Sequence, residues 1–278
     1  MTSSAAEAQR ARIHPTAVIE PGAVLGEGVT VGAFCHVGAE VELGAGVELL
    51  SHVVVAGRTK IGARGRLYPF ASIGHPPQDL KYRGEPSRLE IGADCIIREG
   101  VTINPGTRAG GMLTAIGDRC AFLANAHVGH DCRLGSDIVL SNNVMLGGHV
   151  VVGDCAILGG GAAVHQFTRV GAHAFLGGVS GLEHDLIPFG LASGNRARLM
   201  GLNLVGLKRR GFSREAIHSL RRAYRLLFAA EGTLAERIED VALAFADNAQ
   251  VRDILDFLRA GGERAICTPD PGRDEAAG

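Results

Sequence analysis

The stretch from His127 to Gln166 carries four histidines, His127, His130, His149 and His165, together with Asp131 and Gln166. Their spacing says more than their number. Gly148 follows His130 by 18 residues, Gln166 follows Gly148 by 18, and His149 follows Asp131 by 18. In a chain that winds with an 18-residue turn, His130, Gly148 and Gln166 form one column, with Asp131 and His149 in the column beside it. Neighbours in a column lie about 5 Å apart, the inter-strand spacing. His127, three residues before His130, falls on a neighbouring face or corner. This line suits acyl transfer. A neutral imidazole can take the proton of an acceptor hydroxyl, a contribution of about 10²- to 10⁴-fold. A bare glycine lets its backbone N–H approach a developing oxyanion, a term of about 10²- to 10³-fold. Asp131 could fix the tautomer of a histidine. A plain solvent-facing polar wall is the competing reading, and the stacked register counts against it.

The winding itself is written in the aliphatic residues. They return every six positions from Ile13, Ile19, Leu25 and Val31 to Ile73, resume at Ile91, Ile97 and Ile103, and run again, shifted in phase, from Ile116 to Leu182. Glycine often follows, as in Leu25-Gly26 and Val170-Gly171. An amphipathic helix repeats at 3.6 and a half-buried strand at 2, so neither produces this period. A hexad repeat marks a parallel β-helix, three hexads to each triangular coil. The coils span 12–191. Two segments interrupt them. The first, 74–90, is rich in proline and charge and should protrude as a loop; it keeps the hexad phase, since Ile91 lies 18 beyond Ile73. The second, Thr107 to Ala115, is glycine-rich and shifts the phase by one.

Composition agrees with a thin prism. The chain has 278 residues, 40 of them glycine, three tyrosine and none tryptophan, enough for one large domain and a small one. The formal net charge of −1 gives no nucleic-acid signal. The polar, alanine-rich start and the lack of a long apolar run predict a soluble cytoplasmic protein with no stable membrane insertion. Cys35, Cys95, Cys120 and Cys132 share the fifth place of their hexads and read as buried reduced thiols.

From 192 to 278 helical spacing takes over. Ser213 can cap a helix with Ile217, Leu220, Tyr224, Leu227 and Phe228 on one face. Thr233 and Glu236 read as a capping box ahead of Ile238, Val241 and Phe245. Val251, Ile254, Leu255 and Leu258 line a last helix ending at Gly261, and from 267 the chain reads as a loose tail. Between Arg196 and Arg225 the charges are nearly all positive, which is either a solvated face or a site for a phosphate or an acidic partner.

Several strings together resemble one family: Ser51-His-Val-Val-Val55, Gln78-Asp-Leu-Lys-Tyr82, Asn125-Ala-His-Val-Gly-His-Asp-Cys132, Ala163-Val-His-Gln-Phe167 and Gly206-Leu-Lys-Arg-Arg-Gly-Phe-Ser-Arg-Glu-Ala216. The chain looks like a UDP-N-acetylglucosamine acyltransferase, the first enzyme of lipid A synthesis. The resemblance implies an all-β left-handed parallel β-helix, an exception to the usual right-handed crossover, followed by a helical domain. It implies a homotrimer with active sites between subunits. His130 would be the general base on the sugar 3-hydroxyl, which attacks the thioester of a 3-hydroxyacyl-acyl carrier protein. Gly148 would supply the oxyanion N–H. Asp79, Lys81, His127, His149, His165, Gln166 and Asn203 would hold the sugar nucleotide, with Arg209 and Arg210 at phosphate or facing the acidic carrier. Gly178 matches a position that limits acyl length, and its lack of a side chain implies a chain of about twelve carbons or more. No metal or cofactor is implied beyond the carrier's phosphopantetheine arm.

The chain departs from the family pattern in three places. Asn104-Pro105 stand in place of His-Arg, Arg196 in place of a histidine and Val205 in place of a glutamate. The acceptor could therefore be a 3-amino sugar nucleotide. The related N-acyltransferase usually carries a domain before its coils, whereas here they begin near residue 12. Outside the class stand a non-catalytic scaffold and a gamma-type carbonic anhydrase. The latter shares the scaffold and would need neutral His127, His130 and His149 converging on zinc at about 2.0 Å.

Overall fold

The computed structural model describes residues 10–270; the start of the chain before Arg10 and the end of the expected tail, 271–278, lie outside the described residues. Most hexad aliphatics end a two-residue strand, as in Thr30–Val31, His36–Val37 and Glu42–Leu43. So short a strand gains nothing alone. Its backbone partners come from the next coil: Arg12 pairs with Thr30, Val18 with His36 and Val24 with Glu42, all parallel. Among the described residues the strands thus sort into a first sheet of 11, a second of 9 and a third of 8, the three walls of a left-handed β-helix. Among the described residues only the last strand pairing, Gly190–Ser193 with Arg198–Leu202, is antiparallel.

The interior is a narrow stack of Val, Ile and Leu with Phe122 and the thiols of Cys35, Cys95, Cys120 and Cys132. Each fully buried Leu or Ile contributes about 1.5–3 kcal/mol. Burial raises the Cys132 thiol to about 12, so it stays protonated. Corners demand left-handed backbone. Asp131, His149 and Phe167 take φ of 61°, 61° and 65° at one edge, at about 1–2 kcal/mol for each non-glycine residue. The ladder offsets this. The His149 N–H donates to His130 O at 2.9 Å and the Phe167 N–H to Gly148 O at 3.0 Å.

Both interruptions are shorter than the sequence suggested. The first spans 74–87, because Arg88–Ile91 is already a strand paired with Arg58–Ile61. Coil partners across it are 30 apart, Ile61 facing Ile91, so Ile91 follows Ile73 in hexad phase but not in its column. The second ends at Met112, where the strand Leu113–Ile116 begins, and partners across it are 25 apart, as for Thr102 and His127.

The described part of the helical segment packs four helices: α1 (Leu204–Arg209), α2 (Arg214–Leu227), α3 (Leu234–Ala244) and α4 (Ala249–Arg259). Ser213 caps α2, and the capping box of Thr233 and Glu236 opens α3. The basic string from Gly206 to Ala216 is not one helix. Gly211, at φ +79°, breaks it between α1 and α2. The tail from 267 is not loose at its start. Cys267 is buried and donates its N–H to Asp185 O, and Thr268 O accepts from Leu199. No helix among the described residues is long and apolar enough to cross a membrane.

Candidate active site

The 18-residue columns form as the spacing required. His127 opens a strand of the second sheet, and His130 and Asp131 turn the corner toward the third. The Asp131 side chain is wholly buried. Its Oδ1 accepts the Thr107 N–H at 2.8 Å, and its Oδ2 accepts the Thr107 hydroxyl at 2.6 Å and bonds His130 Nδ1 at 2.8 Å. The Asp131 N–H donates to Thr114 Oγ1 at 2.8 Å. Burial alone would raise this carboxyl's pKa; the bonds from His130 and Thr107 outweigh it and hold the pKa below the ordinary value.

A carboxylate offers only acceptors, so His130 must carry its proton on Nδ1. Nε2 is then a lone pair, the form a general base needs. That nitrogen faces Gly148: a Cβ built there would lie 2.7 Å from Nε2 and 2.6 Å from Cε1. Only glycine leaves the space before the base open. Among the described residues the Gly148 N–H has no acceptor, which leaves it for a ligand.

The second interruption exists to wrap Asp131. A Cβ on Gly110 would stand 2.0 Å from Asp131 Cγ, and one on Gly106 would stand 2.8 Å from Oδ1. Sequence reasoning missed Thr107 and Thr114 as functional residues. The signal available was chemical: a buried carboxylate beside a histidine needs donors, and the glycine-rich insertion holds Thr107, with Thr114 in the strand that follows it.

His149 stacks on Phe167 at 4.4 Å between ring centres and meets His130 edge-on at 5.1 Å. Its Nε2 is 3.8 Å from Asp131 Oδ2, too long for a hydrogen bond. Burial lowers its pKa, with Asp131 opposing and His130 adding to the drop. His127 bonds Thr102 Oγ1 through Nδ1 at 2.7 Å. Burial, then proximity to His130, lowers its pKa as well. Both rings therefore stay neutral, suited to hydroxyl and carbonyl groups of a neutral sugar. His165 and Gln166 lie exposed one coil on. Asp79 accepts the Lys81 N–H at 2.9 Å, and both residues line a cavity of about 540 Å³ together with Thr107, the clamp on Asp131. The protruding loop therefore sits beside the base.

Other expected residues stand elsewhere. Arg210, just past α1, donates to Cys155 O at 3.3 Å on the edge between the third and first sheets, and Arg209 is its neighbour. Gly178 is on the edge between the first and second sheets, exposed beside Val179. Asn203 is 8% exposed and caps α1: its Oδ1 accepts the Gly206 N–H and its Nδ2 donates to His173 O. Two of the departures have local partners, Asn104 donating to His75 O and Arg196 pairing with Glu183, while Val205 is 61% exposed. Among the described residues of one chain the three-histidine zinc set does not assemble. The ligand atoms that come within reach of one another belong to His130, Asp131 and His149, and His127 stands outside the group.

An oriented base facing a bare amide on a left-handed hexad prism defines an acyltransferase of the hexapeptide-repeat class. Comparison with known proteins narrows this. The profile of UDP-N-acetylglucosamine O-acyltransferase domain 2 matches residues 185–267. The chain is 70% identical over 204 residues to an acyl-[acyl-carrier-protein]–UDP-N-acetylglucosamine O-acyltransferase of Methylobacterium radiotolerans, covering 73% of this chain and 75% of that one. It is 52% identical over 266 residues to the protein of the same name from Rhizobium etli, covering 96% and 98%. Among solved structures, a UDP-N-acetylglucosamine O-acyltransferase from Moraxella catarrhalis superposes with a TM-score of 0.89 at 38% identity, covering 92% and 99%. The UDP-N-acetylglucosamine acyltransferase from Campylobacter jejuni gives 0.88 at 38%, covering 93% and 100%. The chain belongs to the acyl-[acyl-carrier-protein]–UDP-N-acetylglucosamine O-acyltransferase family.

Proposed function

We propose that the protein transfers a 3-hydroxyacyl chain from acyl carrier protein to the 3-hydroxyl of UDP-N-acetylglucosamine, the first step of lipid A biosynthesis. The observation that carries this is the alignment of Asp131, His130 and Gly148, with His130 Nε2 freed as a base. The His130 lone pair takes the proton of the 3-hydroxyl, and that oxygen bonds to the thioester carbonyl carbon. The oxyanion that forms is met by the Gly148 N–H. Collapse breaks the C–S bond, and the phosphopantetheine thiolate leaves with the proton from His130. The arm arrives with the carrier, and no resident cofactor takes part. His127, His149, His165, Gln166, Asp79 and Lys81 hold the acceptor.

The working unit is a homotrimer. Its support is the scatter of one chain's functional residues: the base on one edge, Gly178 on a second, Arg209 and Arg210 on a third. Only packed copies bring such edges together, and Arg209 and Arg210 of one protomer then meet a nucleotide whose sugar lies at His130 of another. The exposed basic groove of Lys208, Arg214 and Arg221 fits an acidic carrier, a cytoplasmic partner.

The test is acyl transfer from carrier-linked 3-hydroxyacyl chains to UDP-N-acetylglucosamine and to its 3-amino analogue, side by side. Transfer to the hydroxyl acceptor, abolished in a trimeric His130→Ala, is expected. Preference for the amine, or undiminished transfer by His130→Ala, overturns the proposal.

A further inference from the structure

The segment from Gly262 to Thr268 returns from α4 and is strapped across the last coils. Asp185 is its anchor. The Asp185 N–H donates to Ala265 O and its carbonyl accepts from the Cys267 N–H, both at 2.8 Å. Its buried carboxylate takes the Arg169 N–H and Nε–H at 2.7 Å each. Gly262 lies flush on this pair, since a Cβ there would be 2.5 Å from Asp185 Oδ2 and 2.7 Å from Arg169 Nε. The chain is thus pinned on both sides of Arg264. That side chain reaches the active-site column: Nε donates to Gln166 O at 3.0 Å, and Nη2 lies 2.8 Å from His165 Nδ1.

A guanidinium has donors only and keeps its proton in proteins. His165 Nδ1 must therefore accept, and the ring is neutral with its proton on Nε2. A competing arrangement lies in the same place. Gln166 O is 3.2 Å from the same Nδ1 and, without Arg264, would draw an Nδ1–H. Removing the arginine should move the proton from Nε2 to Nδ1 and turn the exposed nitrogen from a donor into an acceptor.

We infer that Arg264 is a positioning residue for the sugar-nucleotide acceptor: it fixes His165 as an Nε2–H donor toward a hydroxyl, carbonyl or phosphate oxygen of that ligand. This rests on the reading of His165 as an acceptor-binding residue, and it extends the site to a residue 98 positions from Gln166 in sequence.

Two readouts separate the parts of the argument. The first is the His165 tautomer, read by neutron diffraction or by imidazole ¹⁵N spectra of labelled protein assigned with His165→Gln. The parent protein should show Nε2–H. Arg264→Ala and Arg264→Met should show Nδ1–H, and Arg264→Lys, also a pure donor, should retain Nε2–H. The second is kinetic. The KM for UDP-N-acetylglucosamine should rise tenfold or more in Arg264→Ala and Arg264→Met, with kcat within about threefold and recovery in Arg264→Lys. An unchanged tautomer in both variants, or an altered tautomer with unchanged KM, overturns the inference. Methionine keeps the stem length, so a thermal midpoint equal to the parent's excludes a collapsed strap. The tautomer readout needs no turnover, so failure of the proposed reaction would be seen separately.

Discussion

Replacing Asp131 by asparagine keeps the shape of the clamp and reverses its chemistry. The amide can be seated in two ways. If its oxygen takes the place of Oδ1, it still accepts the Thr107 N–H, and its NH₂ faces the Thr107 hydroxyl and His130 Nδ1, where the carboxylate now stands at 2.6 and 2.8 Å. If it is flipped, the NH₂ faces the Thr107 N–H in a wholly buried site, and two apposed donors cost about 1–3 kcal/mol. The first seating wins. It obliges His130 Nδ1 to accept and moves the ring proton to Nε2, so the base is filled. The imidazolium formed during transfer also loses its counter-charge. The kcat should fall by the whole general-base term, about 10²- to 10⁴-fold. The KM for the nucleotide should change little, because His127, His165 and Gln166 are untouched. Loss of charged hydrogen bonds should lower stability by about 2–3 kcal/mol. Asp131→Ala makes the contrast. It removes the enforced tautomer without imposing the wrong one, so it should retain more activity than Asp131→Asn. The assay is steady-state acyl transfer from labelled acyl carrier protein, with trimer content checked for each variant. An Asp131→Asn enzyme that keeps more than roughly a tenth of the parent kcat would refute the tautomer argument.

Further outcomes follow from other distances. Gly148→Ala places a methyl 2.7 Å from His130 Nε2, so kcat should drop by at least about 10²-fold while circular dichroism stays unchanged; near-parent activity would mean that the base does not face this glycine. Burial lowers the pKa values of His127 and His149 below the ordinary 6.5. Between those folded values and about 6.5 the unfolded chain binds protons that the folded chain does not, so stability is lost as pH falls through that window. The thermal midpoint should decline from pH 7 to 5, less so in His149→Gln, and a flat profile would contradict the burial argument; Asp131, whose folded pKa lies below 3.8, adds its loss only at lower pH. With no side chain at Gly178, a series of carrier-linked chains from C10 to C16 should favour C12 or longer, and a preference for C10 would remove Gly178 from the account.

Fold and base were legible for the same reason. A β-helix coil pairs with the coil beside it, so the period in sequence is the period in space, and Val31, Leu49 and Leu67 had to stack whatever else the chain did. That rule carried His130 to Gly148 and Asp131 to His149. It failed wherever contacts left the lattice. Thr107 reaches Asp131 from an insertion, with no period to announce it. At the start of α1 the Asn203 amide oxygen caps the helix by accepting the Gly206 N–H, a local role that the hexad period does not announce. The tail beyond α4 reads as polar and aimless, yet its fixed point is Asp185, a buried acid on the last coil that no local pattern links to it.

The two edge histidines show why these off-lattice contacts matter. Both rings are held at Nδ1, and the chemistry of the holder decides what Nε2 offers. Asp131 can only accept, so His130 presents a lone pair. Arg264 can only donate, so His165 presents a proton. The lattice brings both imidazoles to the same edge, with His165 one residue before Gln166 in the column of His130 and Gly148, but register alone does not set either tautomer. The difference is made by residues outside the repeat, Thr107 behind the carboxylate and the Asp185 strap behind the guanidinium. Exchanging the holders' chemistry, carboxylate for amide or guanidinium for thioether, should therefore abolish turnover at His130 and weaken acceptor binding at His165 while the prism stays intact.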